Sequence, residues 1–206
     1  MLNNVKTQIC ERLFEILSKG VPKLIEAGNY VENGARMIPF PVFTESRDVL
    51  SHLRDIASDA LNEANVEKNL IEIQEHIRRG IVETYQEHYD YLASNIFQTY
   101  GKYKQSFFKF ESLLGLRAMH APLHKNINQV LKSSQNLWIE ARNSKTNNFN
   151  TSEFEESINK FKKASSLLSS IDEDIDTIFN NFYKRGVITT FIFLFSLSLL
   201  VVLLVL

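Results

Sequence analysis

Two histidines four residues apart, in the segment His120-Ala-Pro-Leu-His124, are the first residues of this chain whose type and spacing suit chemistry. On a helix that spacing puts both imidazoles on one face, where they can reach one metal ion. Pro122 argues against it. Proline fits the first turn of a helix, which would leave His120 outside and His124 just inside. The only acidic residue within ten positions is Glu111, so a third ligand would have to come from far away. The sequence therefore favours a structural placement of the pair, with no metal and no cofactor. His76 and His88 belong to a Gln-Glu-His echo twelve residues apart. A helix turns the second copy by about 120° relative to the first, so these two side chains face different ways. Neither lies in the Glu-x-x-His pattern of a di-iron bundle, because Ile73 and Tyr85 hold the position three before each histidine.

The remaining signatures of catalysis are missing. There is no glycine-rich phosphate loop, no nucleophile elbow and no carboxylate pair in an apolar setting, so the chain reads as a non-enzyme. Cys10 is the only cysteine, which excludes an intrachain disulfide. It fits a small apolar residue on the inner face of a first helix. The stretch Tyr-Gly-Lys-Tyr-Lys-Gln-Ser-Phe-Phe-Lys-Phe, residues 100–110, mixes aromatics with bases. Base stacking or a membrane interface would use such a mixture. Tyr100, Tyr103, Phe107 and Phe110 nevertheless keep the helical period, so the sequence favours an aromatic core seam with lysines outside, and no nucleic-acid partner is expected.

The elements that carry these residues are dominated by the last one. Residues 187–206, VITTFIFLFSLSLLVVLLVL, contain no charge, proline, glycine or amide side chain. As a helix they are roughly 30 Å long, the thickness of a bilayer's hydrocarbon core. Lys184 and Arg185 stand immediately before, and by the positive-inside rule they place the preceding body in the cytoplasm. The beginning of the chain is interrupted by Lys6, Glu11 and Arg12 and lacks the pattern of a secretory signal, so a tail anchor inserted after synthesis is expected. The anchor residues singled out are Lys184, Arg185, Val187, Phe191, Phe195 and Leu206. Gly186, Thr190 and Ser198 add a sparse small-residue stripe that would permit a homo-oligomer.

Low glycine and proline, seven and four residues, point to few turns and long helices in the rest. Val5, Ile9, Leu13, Ile16 and Leu17 form a first helical stripe that ends near Lys19 or restarts at Pro22. Residues 28–43 read as a loop with apolar anchors, and Met37, Phe40 and Phe43 are its candidates for docking against the body or a partner. Thr44 is the expected N-cap of a helix over 45–64. From Leu70 to Leu114 one apolar face recurs about every 3.67 residues, the mark of one very long helix in which Gly80 and Gly101 allow a bend or a close approach. A further helix covers 123–142. A polar loop at 145–150 precedes a last amphipathic helix, 151–186, whose seven-residue repeat runs through Phe154, Phe161, Leu168, Ile175 and Phe182. Charge is uneven along this body. Eleven acids face five bases between Glu45 and Gly101, and eight bases face two acids between Lys102 and Lys145, so the basic part could lean on anionic lipid or pair with the acidic part.

The fold expected is all-α: an elongated antiparallel helical bundle with one very long central helix, cytosolic over residues 1–144, then a juxtamembrane helix at 151–186 and a single C-terminal transmembrane helix at 187–206. In outline this is similar to syntaxin-like membrane-fusion proteins and to tail-anchored apoptosis regulators. The seven-residue repeat is half the length the first group needs and lacks its central glutamine or arginine, and the Asn-Trp-Gly-Arg signature of the second is missing, Trp138 standing in LWIEAR. No family follows. The function expected is a non-enzymatic scaffold, tether or adaptor held at a membrane, with the lipid bilayer and an unknown protein as partners. The alternative is a membrane-active effector that oligomerises or perturbs the bilayer.

Overall fold

The computed structural model describes residues 2–35, 38–58, 62–144 and 148–205, and every element in it is helical. In chain order these are α1 (Leu2–Ala35), α2 (Phe40–Ser58), α3 (Glu63–Ile96), a π-helical turn (Phe97–Gly101), α4 (Lys102–Ser106), α5 (Phe108–Leu113), α6 (Arg117–Arg142), α7 (Ser152–Ser169) and α8 (Asp172–Val205). The described residues contain no strand, and the protein is an all-α bundle with a long apolar helix at its C-terminal end. The chain divides into two compact units, one made of Met1–Leu92 with Gln135–Ser165, the other of Ala93–Ser134 with Ser166–Leu206.

In the first unit, α1 corrects two expectations. It does not stop near Lys19, and residues 28–35 are helix and not loop. Pro22 removes one hydrogen bond from the carbonyl of Ser18, but both residues are exposed, so water can satisfy that oxygen. Gly20 is helical because α3 needs it bare: a Cβ there would lie 2.8 Å from Ile77 Cγ2 and 2.8 Å from Phe149 Cζ. Gly80 repeats the arrangement from the other side, 2.8 Å from Leu24 Cδ1. Around these contacts Leu24, Ile73, Ile77, Phe149, Phe154 and Phe161 form a shared core. Cys10 faces solvent, against the expectation of an inner position.

The start of α2 is also displaced from the expected one. It begins at Phe40, with Pro41 in the first turn where its missing N–H costs nothing, and Thr44 lies inside, its hydroxyl donating back to Pro41 O at 3.1 Å. Phe40 and Phe43 therefore do not lie extended in grooves; they project from a helix and are 66% and 61% exposed. Met37 falls outside the described residues. The next helix is capped by Asn62, whose Oδ1 accepts from Asn65 N at 3.3 Å.

The expected single helix from Leu70 to Leu114 holds as far as Ser106 with one fault. The π-helical turn at Phe97–Gly101 inserts extra backbone, and Phe107, at φ −116° and ψ −14°, ends the run before α5 starts. The apolar face stays buried through Ile96, Tyr100 and Tyr103, whereas Phe107 and Phe110 are 43% and 51% exposed, so the seam stops there. The last amphipathic segment is likewise two helices and not one. It breaks at Ser170 and Ile171, and Asp172, Glu173 and Asp174 then favour the first turn of α8.

Candidate functional site

The local sequence after Tyr103 builds a buried polar centre in the second unit. The short α5 closes with Gly115 at φ 68°, Leu116 N donating to Glu111 O at 2.8 Å and Gly115 N to Ser112 O at 3.3 Å. This is a Schellman ending, and Leu116, 1% exposed, is its apolar plug. The reversal starts α6 directly, with His120 N donating to Leu116 O at 2.9 Å. Hence both His120 and His124 are helical, contrary to the expectation that Pro122 would leave His120 outside. Pro122 is exposed, and so is Ala118, whose carbonyl loses the bond.

One turn apart on α6, the two imidazoles meet the carboxylate of Glu111. Glu111 Oε1 accepts from Tyr103 Oη at 2.8 Å and lies 2.7 Å from His120 Nδ1 and 3.0 Å from His124 Nε2, with Oε2 3.1 Å from the latter. Tyr100 Oη is 2.8 Å from His124 Nδ1. Glu111 and His120 are fully buried and His124 is 8% exposed. Burial pushes the Glu111 carboxyl up, but hydrogen bonds from His120, Tyr103 and His124 together outweigh it and hold the group below its usual range as a carboxylate. Tyr100 is pushed up to about 12 by burial and by the Glu111 charge. Tyr103 is raised further by burial, by its bond to Glu111 and by that charge, so both phenols keep their protons.

A second cluster lies in the first unit. His76 Nδ1 is 2.6 Å from Glu45 Oε2, His76 Nε2 is 3.2 Å from His52 Nε2, and His52 Nδ1 is 2.7 Å from Asn69 Oδ1. Arg79 Nη2 is 2.8 Å from His76 Nδ1 and 3.5 Å from Glu45 Oε2. Nδ1 can donate to Glu45 or accept from Arg79, not both. In either case a permanent cation already stands beside the carboxylate. The potential ligand atoms of three trios lie within 4.8 Å of one another: Glu111, His120 and His124; His52, Glu72 and His76; and Glu45, Asp48 and His76. Sequence reasoning found His120 and His124 but discarded Glu111. The overlooked signal was Gly115, a helix-ending residue that folds Glu111 back over the next helix.

The residues expected to form the anchor lie on α8, which runs without a break from buried Ile175 and Ile178 to exposed Ile188–Leu200. It is long and apolar enough to cross a membrane, and none of its apolar window is buried in the protein. Lys184 and Arg185 are exposed at the head of the stretch, Val187 is partly covered, and Phe191 and Phe195 are 69% and 74% exposed. Leu206 lies outside the described residues. The polar atoms of this segment are satisfied internally: Thr189, Thr190, Ser196 and Ser198 each donate to the carbonyl four residues earlier, at 2.8 to 2.9 Å.

At the head of that stretch the second unit forms an apolar groove of about 570 Å³, walled by Tyr103 and Phe107 on one side and by residues from Phe179 to Leu194 on the other. The ring of Tyr103 lies 4.9 Å from that of Phe179, and Phe107 is 5.2 Å from Phe182. Tyr103 thus belongs to the groove by its ring and to the Glu111 centre by its hydroxyl. No family model, no curated protein and no solved structure matches this chain.

Proposed function

We propose that this is a non-enzymatic, single-pass membrane protein in which α8 crosses a bilayer, Lys184 and Arg185 hold the helical body on the cytosolic side, and the body serves as a scaffold or tether for a protein partner. The continuity of α8 carries the reading. Ile175 and Ile178 are buried in the body, and the same helix then presents an uncharged, mostly apolar and exposed surface over Ile188–Leu200. In water such a surface would be far larger than soluble proteins tolerate, whereas a bilayer matches it in length and polarity. One helix shared by anchor and body would pass load or oligomerisation in the cytosol to the membrane. Phe40 and Phe43, exposed beside Ile38 at 75%, are the docking residues proposed for the partner.

One observation favours the effector reading as a supplement. Phe107, Phe110 and Leu113 are exposed among Lys102, Lys104 and Lys109, and Phe107 touches Phe182 five residues before the anchor begins. Apolar rings flanked by lysines at that depth suit the headgroup region of an anionic leaflet. The test is insertion and topology of the full chain in microsomes. Resistance to carbonate extraction, with a glycosylation acceptor added after Leu206 modified and one added before Met1 unmodified, is the expected result. Carbonate release of the full chain, or modification of the N-terminal acceptor, would refute it. Leakage from anionic vesicles on adding the chain would move the balance from tether to effector.

A further inference from the structure

We propose that Glu111, His120 and His124 bind one divalent transition-metal ion, and that zinc is the ion their donor set fits best. Two imidazole nitrogens and one carboxylate oxygen, with a fourth position left over, is a set that zinc accepts in tetrahedral geometry. The three atoms are already gathered, Glu111 Oε1 lying 2.7 Å from His120 Nδ1 and 3.0 Å from His124 Nε2. Tetrahedral zinc spaces its ligands slightly wider, so the trio has to open by about half an ångström. The side chains that would aim them are also in place. With Nε2 turned to a metal, His124 carries its proton on Nδ1 and donates it to Tyr100 Oη at 2.8 Å, while Tyr103 Oη donates to Glu111 Oε1. Such outer partners orient ligands in most metal sites.

Charge separates this trio from the other two. Glu111 is fully buried, and its ion-pair partners among the described residues are His120 and His124, with no lysine or arginine. A buried carboxylate without a permanent cation beside it has room for a divalent ion to supply that charge. The His52–Glu72–His76 and Glu45–Asp48–His76 trios share His76, against which Arg79 already rests at 2.8 Å; its guanidinium repels a second cation.

The experiment uses the full-length chain in detergent micelles carrying His52→Asn, which disables the competing two-histidine trio at a partly exposed residue. After chelator treatment it is titrated with zinc by calorimetry, and the ligand shell is read by X-ray absorption. One zinc per chain is expected, with two imidazoles, light-atom ligands and no sulfur, together with a raised melting temperature. Glu111→Gln should abolish stoichiometric binding. Tyr103→Phe, which keeps the ring packing, should weaken it about 10–100-fold. The proposal is overturned if the His52→Asn chain, folded by circular dichroism, takes up no zinc. A shell with a single imidazole or with sulfur also overturns it, as does undiminished binding in Glu111→Gln. Should Glu111→Gln fail to fold, Tyr103→Phe decides by the same comparison, and unchanged affinity there counts against the site.

Discussion

Adding one methyl group at Gly80 tests the packing of α1 on α3 directly. Gly80→Ala places a Cβ 2.8 Å from Leu24 Cδ1 and 3.1 Å from Glu45 Cβ. Two effects compete. Alanine gains about 1 kcal/mol over glycine in a helix interior. Forcing a methyl into a filled site costs about 1–3 kcal/mol, and Leu24 is 4% exposed with Ile81 beside Gly80 at 1%, so the space cannot come from solvent. A net loss of about 1 kcal/mol is expected. The partner substitution separates clash from propensity: Leu24→Val withdraws the δ-carbon that the new methyl meets. In the double variant the two costs should fall short of their sum by about 1 kcal/mol, within the range for residues in contact. The measurement is urea unfolding of the full chain in micelles. Trp138 is the only tryptophan and stacks on Tyr89 at 5.7 Å, so its fluorescence reports this unit. Additivity within about 0.3 kcal/mol, or a stabilised Gly80→Ala, would refute the close approach.

Three further outcomes are expected. Leu194→Arg, near the middle of the apolar stretch, should cost about 3 kcal/mol of insertion and lower the carbonate-resistant fraction of the full chain. Phe40→Ser with Phe43→Ser should leave the urea midpoint almost unchanged, about ±0.5 kcal/mol for exposed sites, while reducing retention of a partner by the immobilised protein; a large loss of stability would mean the rings are packed and not presented. His88 should make stability pH-dependent. Burial pushes its imidazole down, and it packs edge-on against Tyr30 at 5.2 Å and against Gly34. The unfolded chain takes up its proton near pH 6.5 and the folded chain only at lower pH, so stability is full above about 6.5 and declines below it. Replacement by leucine should flatten that decline relative to the parent, and an unchanged pH profile would exclude His88 as its source.

Helix content and the long seam through Ile73, Ile77, Ile81, Tyr85 and Tyr103 were legible from periodicity, because burial of one face leaves a local trace in the chain. The ends of helices were less so. Pro22 and Gly20 read as breakers because their local cost is real, yet the solvent around Pro22 and the contacts of Gly20 with Ile77 and Phe149 override it. Phe40 and Phe43 read as buried anchors because apolar runs usually are, and here the helix turns them outward.

The twenty uncharged, mostly apolar residues after Gly186 determined by themselves that one segment of this protein matches a bilayer, since length and hydropathy are properties of the segment alone. What brings Glu111 against His120 and His124 is decided elsewhere. It depends on a π-helical turn, a break at Phe107 and a positive φ at Gly115, three departures from regular helix that together reverse the chain. Distance along a sequence predicts proximity only while the backbone stays regular, and this centre exists where it does not.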